Sequence, residues 1–396
     1  MIRPQLILAP GKEKSLLRRH PWLFSGAVRR MVGNPANGDL VDVMDASGRW
    51  MAVGHYQNDS IICKVLSFET QNVDDTFFER RLTSAIAYRK RLGFFNDDET
   101  NVFRLVNGEG DFMPGLICDW YAGTLVMQAH SEGMHQLFPL FTRLFVQLLS
   151  DYGLASVFDK SSATLSTPSS DGFLWGREEA ESIISEHGNR MYINFFEGQK
   201  TGFFVDQREN RHLLSSLAQG RRVLNCFGYT GGFSLAALHG GAEYVETVDI
   251  SRKAIDLCNR NVELNFGDCQ RHKGVVADVL QYIQTLKNTD DKRFDLIVLD
   301  PPAFAKNHRS LQQGLKGYRA INQRALESIA EGGLLLTFSC SQAVSKDDFQ
   351  TMLFTASANA GRKVRIVKQL PHAIDHPVSI YHPEGEYLKG LLVYVE

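Results

Sequence analysis

Two short stretches hold the residues best suited to covalent chemistry. Cys340 stands in Thr337-Phe338-Ser339-Cys340-Ser341, just past an apolar run, where a thiol is better placed for solvent than for packing. Asp300 opens Asp300-Pro301-Pro302-Ala303-Phe304. Its two prolines fix the backbone and remove two donors, so the corner presents carbonyls and side chains. Such a corner can receive a flipped base, with Phe304 stacking nearby. The chemistry that wants both stretches is methylation at pyrimidine C5. A thiolate adding to C6 makes C5 enamine-like, and C5 can then take a methyl from a sulfonium. An acid at Asp300, near N3 or the exocyclic position, favours that addition. A base must then remove the C5 proton so that the thiolate can leave. Methylation of an exocyclic amine needs no thiol, so Cys340 favours C5. Cys340 and Asp300 are therefore the catalytic candidates, and Pro301, Pro302 and Phe304 the base-contacting ones. The bland alternatives are a cysteine used as a small buried hydrophobe and a rigid strand-end turn.

A third stretch reads as a cofactor unit. Arg222–Asn225 is a short buried strand, Cys226–Gly232 a turn with three glycines, Phe233–His239 a helix start, and Tyr244–Val248 a strand ending in Asp249. Strand, glycine turn, helix, strand and acid open a nucleotide-cofactor domain. The glycines let backbone approach a ligand, and the acid accepts from ribose hydroxyls. GxGxxG is absent, so an adenosyl cofactor is favoured over a dinucleotide, with plain turn packing as the remaining reading. Upstream, Gln199–Arg208 (QKTGFFVDQR) packs Lys200, Asp206 and Arg208 among Phe203, Phe204 and Val205, in a cofactor-side segment or a surface hairpin.

These residues need a sheet to position them. From Ile184 onward strands alternate with helices. Strands are expected at Met191–Phe195, Lys273–Ala277, Phe294–Leu299, Gly333–Phe338, Val364–Gln369 and Glu386–Val395, and helices at Arg252–Leu264, Leu315–Ala330 and Lys346–Ala360. That alternation predicts a mostly parallel sheet, with ligands beyond its carboxyl ends. Asp249, Asp278, Asp300 and Cys340 all fall at such ends and can converge on one crevice. Residues 71–183 predict an α+β region: helices Phe77–Arg91 and Leu137–Leu149, strands Phe103–Val106, Gly115–Asp119 and Leu125–Ala129, and a serine-rich loop Ser161–Asp171. Residues 1–70 predict a small β-rich domain with strands Leu6–Leu8, Leu40–Met44, Trp50–His55 and Ile61–Phe68. Met1–Met31 carries seven positive residues and one negative. Lys12, Arg18, Arg19, Arg29 and Arg30 interleave with His20, Trp22 and Phe24, a pattern suited to phosphate contact and base stacking. The alternative is a solvated loop with Trp22 in the core.

Composition bounds the rest. The 396 residues suffice for two or three domains, and 43% hydrophobic with 22% charged is a globular balance. A net charge of -2 excludes neither RNA nor DNA, because a local basic face suffices. The six cysteines form no CxxC pair and no metal spacing, so no metal is expected and reduced thiols in the cytoplasm fit best. No stretch has the roughly 18 consecutive apolar residues of a membrane span, and no signal peptide is apparent.

With these motifs in place, the chain closely resembles the bacterial family of large-subunit ribosomal RNA cytosine-C5 methyltransferases over essentially its whole length. The match includes Gly11–Val28, Lys200–Arg208, Asn225–Phe233, Asp300–Phe304, Thr337–Ser341, Asp375–Val378 and Tyr381–Gly385. The resemblance implies a PUA domain at 1–70, a middle α+β domain at 71–183, and a Rossmann-like S-adenosylmethionine-dependent methyltransferase domain at 184–396. It implies methylation of one cytosine in 23S ribosomal RNA, with Cys340 as nucleophile. S-adenosylmethionine would be held by Phe227, Gly228, Tyr229, Thr230, Gly231, Gly232, Asp249, Asp278, Gln207 and Arg208. A partly assembled large subunit is an alternative substrate form, and a homodimer one of the open oligomeric states. Two departures stand out: Ala303 where relatives often carry lysine, leaving Lys306 as the nearby one, and the Ser161–Asp171 loop. Three rivals remain: a 5-methyluridine enzyme, an amino-group methyltransferase acting without Cys340, and an RNA-binding assembly factor without turnover.

Overall fold

The structure, a computed structural model, describes residues 3–286, 293–305 and 307–396. Lys306 lies outside the described residues. The chain forms two compact units: Met1–Ile184 with Ile193–Val205 and Ile374–Gly385, and Ser185–Tyr192 with Asp206–Ala373 and Glu386–Glu396.

In the first unit, β1 (Gln5–Leu8), α1 (Lys14–Leu17), β2 (Trp22–Phe24), β3 (Val28–Val32), β4 (Leu40–Met44), β5 (Trp50–Tyr56) and β6 (Ile61–Ser67) build a six-stranded sheet ordered β2-β6-β5-β4-β1-β3. Alternation puts Leu6, Leu8, Val41, Val43, Cys63 and Val65 into one core. The basic run Lys12–Arg30 is ordered structure: it holds α1, β2 and β3, which sequence pattern missed. Their short length and arginines hide the strand signal, and charge is what natural edge strands carry. Next come α2 (Asp75–Arg91), β7 (Val102–Asn107), β8 (Leu116–Tyr121), β9 (Thr124–Ala129), α3 (Glu132–His135), α4 (Phe138–Leu148), β10 (Ser156–Asp159) and β11 (Gly172–Gly176). They give a sheet ordered β11-β10-β9-β8-β7 with α2 and α4 on its core. β12 (Glu181–Glu186) and β13 (Asn189–Asn194) make a two-stranded ladder.

Two quoted motifs turn out to be fastenings of this first unit. Thr201 donates to the buried Asp119 carboxylate at 2.5 Å and meets the Tyr121 hydroxyl at 2.9 Å. Asp375 accepts the Arg104 backbone N–H at 2.7 Å, while its own carbonyl takes Arg89 at 2.7 Å. Arg89 and Asp375 are fully buried, where losing one partner of such a network costs about 3–5 kcal/mol.

The second unit holds α5 (Arg208–Leu217), β14 (Arg222–Cys226), α6 (Gly232–His239), β15 (Tyr244–Asp249), α7 (Arg252–Phe266), β16 (His272–Val276), α8 (Val279–Thr285), β17 (Leu296–Leu299), α9 (Leu311–Ser328), β18 (Gly333–Ser339), α10 (Lys346–Ala360), β19 (Val364–Gln369) and β20 (Lys389–Val395). Its seven strands run β16-β15-β14-β17-β18-β20-β19. The first five are parallel, and β20 returns antiparallel between β18 and β19. β17 and β18 are buried throughout, as expected for central strands covered on both faces. Strand order reverses between β14 and β17, and that switch point is where doubly wound sheets bind ligands.

Candidate active site at the carboxyl ends of the parallel strands

The turn after β14 is shaped by backbone that few residues tolerate. Phe227 (φ 58°), Tyr229 (φ 45°) and Gly231 (φ 87°) are left-handed. Two of the three are not glycine, so neighbours must hold them there. Asp249 does much of this: its carboxylate accepts Tyr229 N–H at 3.0 Å and Ser251 N–H at 2.8 Å. Gly228 N–H adds a bond to the Val248 carbonyl at 3.1 Å, and the Asn261 amide holds the Thr230 carbonyl at 2.9 Å. Beneath runs a buried chain: Asn225 to Ser234 at 2.9 Å, Ser234 to Thr247 at 2.6 Å, Thr247 to His272 at 2.8 Å.

The structure adds a packing reason for the glycines. A Cβ on Gly228 would stand 2.3 Å from Thr247 Cγ2, and one on Gly231 would stand 2.4 Å from Cys258 Sγ. Both face inward, onto β15 and α7. Close packing of turn on sheet demands glycine at both positions, and the left-handed backbone adds to that demand at Gly231.

Asp278 caps α8, accepting Gln281 N–H at 2.9 Å. Asp249 and Asp278 thus each spend part of their accepting capacity on backbone, and a carboxylate has about four acceptor sites. Ile250, next to Asp249, is 72% exposed. Sequence reading passed it over, and its only signal was an isoleucine just past a strand. Gln207 precedes α5 as its N-cap residue, Arg208 begins it, and both are almost fully buried, with Gln207 Oε1 accepting the Asn210 amide at 2.6 Å. Arg211 lies 5.9 Å from the Phe233 ring, and the site of a Gly240 Cβ abuts the Ser215 carbonyl. So α5 and α6 run side by side in one direction, which brings Gln207 and Arg208 to the end where the glycine turn lies.

The second cluster joins the ends of β17 and β18. These strands pair parallel, Leu299 opposite Thr337, so Asp300-Pro301 and Ser339-Cys340 emerge together. Cys340 Sγ is 3.9 Å from the Pro301 carbonyl. Ser341 fastens the two corners: its Oγ accepts Ala305 N–H at 3.2 Å and meets the Tyr318 hydroxyl at 2.8 Å. Burial pushes the Tyr318 phenol up, which keeps it a neutral partner. Pro301 is buried and Pro302 exposed. Phe304 is half-buried, its ring 4.7 Å from Tyr318 and 6.4 Å from Phe227, so it is partly used in packing. Lys389 is buried in the same neighbourhood. Tyr318, Ser341 and Lys389 were missed, because nothing local marks them beyond a lone lysine heading an apolar run.

The other cysteines differ. Cys63, Cys118, Cys226 and Cys258 are buried, and burial pushes all four thiols up, Cys63 and Cys258 to about 12. Cys269 is half-exposed, in the turn before β16. In the first unit, Lys12, Arg18, Arg19, Arg29 and Arg30 are all exposed. Leu17, Phe24 and Met31 between them are 61%, 49% and 40% exposed, an apolar and basic mixture. Trp22 is half-buried and donates to Glu109 at 2.8 Å, so it serves the packing. Among the described residues, no group of histidine, cysteine and carboxylate side chains could hold a metal ion, and no helix is long and apolar enough to cross a membrane.

Comparison with known proteins agrees with this architecture. Residues 103–380 match the S-adenosylmethionine-dependent methyltransferase family, and residues 6–68 match a PUA-like domain. Proteins named ribosomal RNA large subunit methyltransferase I, from Yersinia pseudotuberculosis and Escherichia coli, are each 40% identical to the chain, with 98% of both chains covered. A Streptococcus mutans structure, solved as a candidate SAM-dependent methyltransferase, shares the fold at 22% identity and TM-score 0.86, with both chains fully covered. A candidate methyltransferase solved with SAH does so at 23% and 0.87, again over both whole chains.

Proposed function

The chain belongs to the ribosomal RNA large subunit methyltransferase I family, and on that premise we propose that it methylates C5 of a cytosine in 23S ribosomal RNA through a covalent bond between Cys340 and C6. The observation that carries this reading is the Cys340 thiol at the open end of β18, beside the Pro301 carbonyl, while four other cysteines are buried with their ionisation suppressed.

Each residue then has a task. Cys340 Sγ bonds to C6, and Asp300 supports the addition from the N3 or exocyclic side. S-adenosylmethionine supplies an electrophilic methyl group when bound. Asp249 offers its remaining acceptor sites to ribose hydroxyls, Asp278 to the adenine amine, and Ile250 an apolar surface to the ring. Phe227–Gly232 shape the turn, with Gln207 and Arg208 supporting that end of the unit. Loss of the C5 proton to a base then lets the S–C6 bond break, restoring the thiolate. Pro301, Pro302 and Phe304 shape the base pocket. Lys12, Arg18, Arg19, Arg29 and Arg30 contact phosphates. The reading carries with it a cytoplasmic location, and a substrate that is either naked RNA or a partly assembled large subunit. Methylation assays on both forms separate these two.

RNA carrying 5-fluorocytosine at the target tests the proposal. Fluorine blocks loss of the C5 substituent, so wild-type protein is trapped as a methylated adduct that survives denaturing electrophoresis and maps to Cys340. Cys340→Ala loses turnover and keeps cofactor binding. A trap on another residue, or full methylation by Cys340→Ala, would return the amino-group rival to the front.

A further inference from the structure

Lys389 heads β20, a strand otherwise made of Gly390, Leu391, Leu392, Val393, Tyr394 and Val395. It pairs opposite Ser339 of β18, the residue before Cys340. The residue is 6% exposed. Nζ donates to the Ser341 carbonyl at 2.5 Å and to the Tyr387 carbonyl at 2.6 Å. The ammonium is therefore bonded to the backbone immediately past the thiol. Burying an ammonium is expensive unless hydrogen bonds and an opposite charge compensate it. An apolar side chain would fill this place at lower cost, so packing alone does not account for a lysine.

We propose that Lys389 is a positioning residue for the methyl-transfer reaction, its buried ammonium holding Cys340 in the thiolate form that attacks the base. This rests on the reading of Cys340 as nucleophile. Burial pulls the Lys389 pKa down to about 8, and the strongest influence in the opposite direction is the charge of Cys340, ahead of Glu386. The coupling is mutual: a thiolate that keeps the proton on the lysine is itself favoured by the ammonium. Among the described residues, charged or titratable groups near the pair include Glu386, which also binds Lys346 at 2.6 Å, Tyr318 from α9, Asp300 at the end of β17, and Tyr387 with its partners His372, 4.5 Å away ring to ring, and Asp206, which accepts its hydroxyl at 2.6 Å. A lysine acting as the C5 base would have to be neutral. Two carbonyl acceptors and a neighbouring thiolate all favour the charged form instead.

The test is the rate of Cys340 alkylation by iodoacetamide between pH 6 and 10 in the full chain without RNA, read by peptide mass spectrometry. Wild type is expected to show a midpoint below the free-thiol value of about 8.5. Lys389→Met is expected to raise it by about one pH unit, so that alkylation at pH 7 slows ~10-fold. Lys389→Arg keeps the charge and should stay within about twofold of wild type. A wild-type midpoint at or above that of a free thiol would overturn the proposal, as would a Lys389→Met profile that superimposes on wild type. So would equal loss in the Arg and Met variants, which would mean that side-chain shape matters rather than charge. Lys389→Gln replaces Lys389→Met if the latter does not fold. Whether Cys340 is the nucleophile is judged separately, by turnover of Cys340→Ala.

Discussion

Gly228→Ala puts a single methyl where the turn rests on β15. Gly228 is not among the left-handed positions, so space alone decides the outcome. The new Cβ meets Thr247 Cγ2 at 2.3 Å and Asn225 Nδ2 at 3.0 Å. The first contact is impossible without movement, and Thr247 is held by bonds to Ser234 and His272. Overpacking of this kind costs about 1–3 kcal/mol. If the turn moves to relieve it, a loss of ~1–2 kcal/mol appears in cofactor binding, about 5- to 30-fold in Kd. Thr247→Ser removes the offending methyl and keeps the hydroxyl in the buried chain, at a cost of about 1 kcal/mol for the lost methyl. The double variant should therefore recover part of both losses, with a coupling of about 1 kcal/mol or more. Recovery is partial, because the Asn225 contact remains. Urea denaturation and calorimetric titration with S-adenosylhomocysteine measure the two effects. Strict additivity of Gly228→Ala and Thr247→Ser would refute the inward-facing account of the glycine.

Three further outcomes are expected. Asp249→Asn turns an acceptor into a donor facing the N–H of Tyr229 or Ser251, a loss of about 1.5–3 kcal/mol per charge-assisted bond, and S-adenosylmethionine affinity should fall with it; unchanged affinity in calorimetry would sink the assignment. Neutralising Arg18, Arg19, Arg29 and Arg30 should weaken RNA binding and flatten its salt dependence by about 0.7 per lost contact to a single strand; an unaltered slope in binding curves would send the RNA elsewhere. Burial holds His55 and His272 down at about 4. Their unfolded forms protonate near 6.5, so below that pH the unfolded chain binds more protons, and stability present above pH ~6.5 is lost as pH falls toward 4, by at most about 1.4 kcal/mol per pH unit for each histidine. A denaturant midpoint that stays flat from pH 6.5 to 4.5 would contradict this.

Much of this protein is written locally. Buried parallel strands read as continuous apolar runs, and helices show their own period, so β17, β18 and α10 were legible from residue type alone. The glycine turn, the acid ending β15, the Asp-Pro-Pro corner and Cys340 stood out as candidate cofactor and thiol motifs, because each is a short motif at the end of such a run. What stayed hidden depends on contacts between distant residues. The arginines of β3 are adjacent and its burial does not alternate, so neither strand period nor composition marks it. Lys200–Arg208 reads as one motif, yet Lys200–Val205 belongs to the first unit and Asp206–Arg208 to the second. Asp375–Val378 reads as part of the cofactor domain, but Asp375 is buried on Arg89 and Arg104, 286 and 271 residues away in the chain. The inward face of Gly228 depends on which side chain β15 presents beneath it. Asp300 and Cys340 emerge side by side because β17 and β18 are parallel neighbours, and Lys389 reaches the Ser341 carbonyl next to the thiol because β20 returns antiparallel beside β18. Local pattern determines which elements form; register and strand order, set by packing across the whole sheet, decide which side chains share a site.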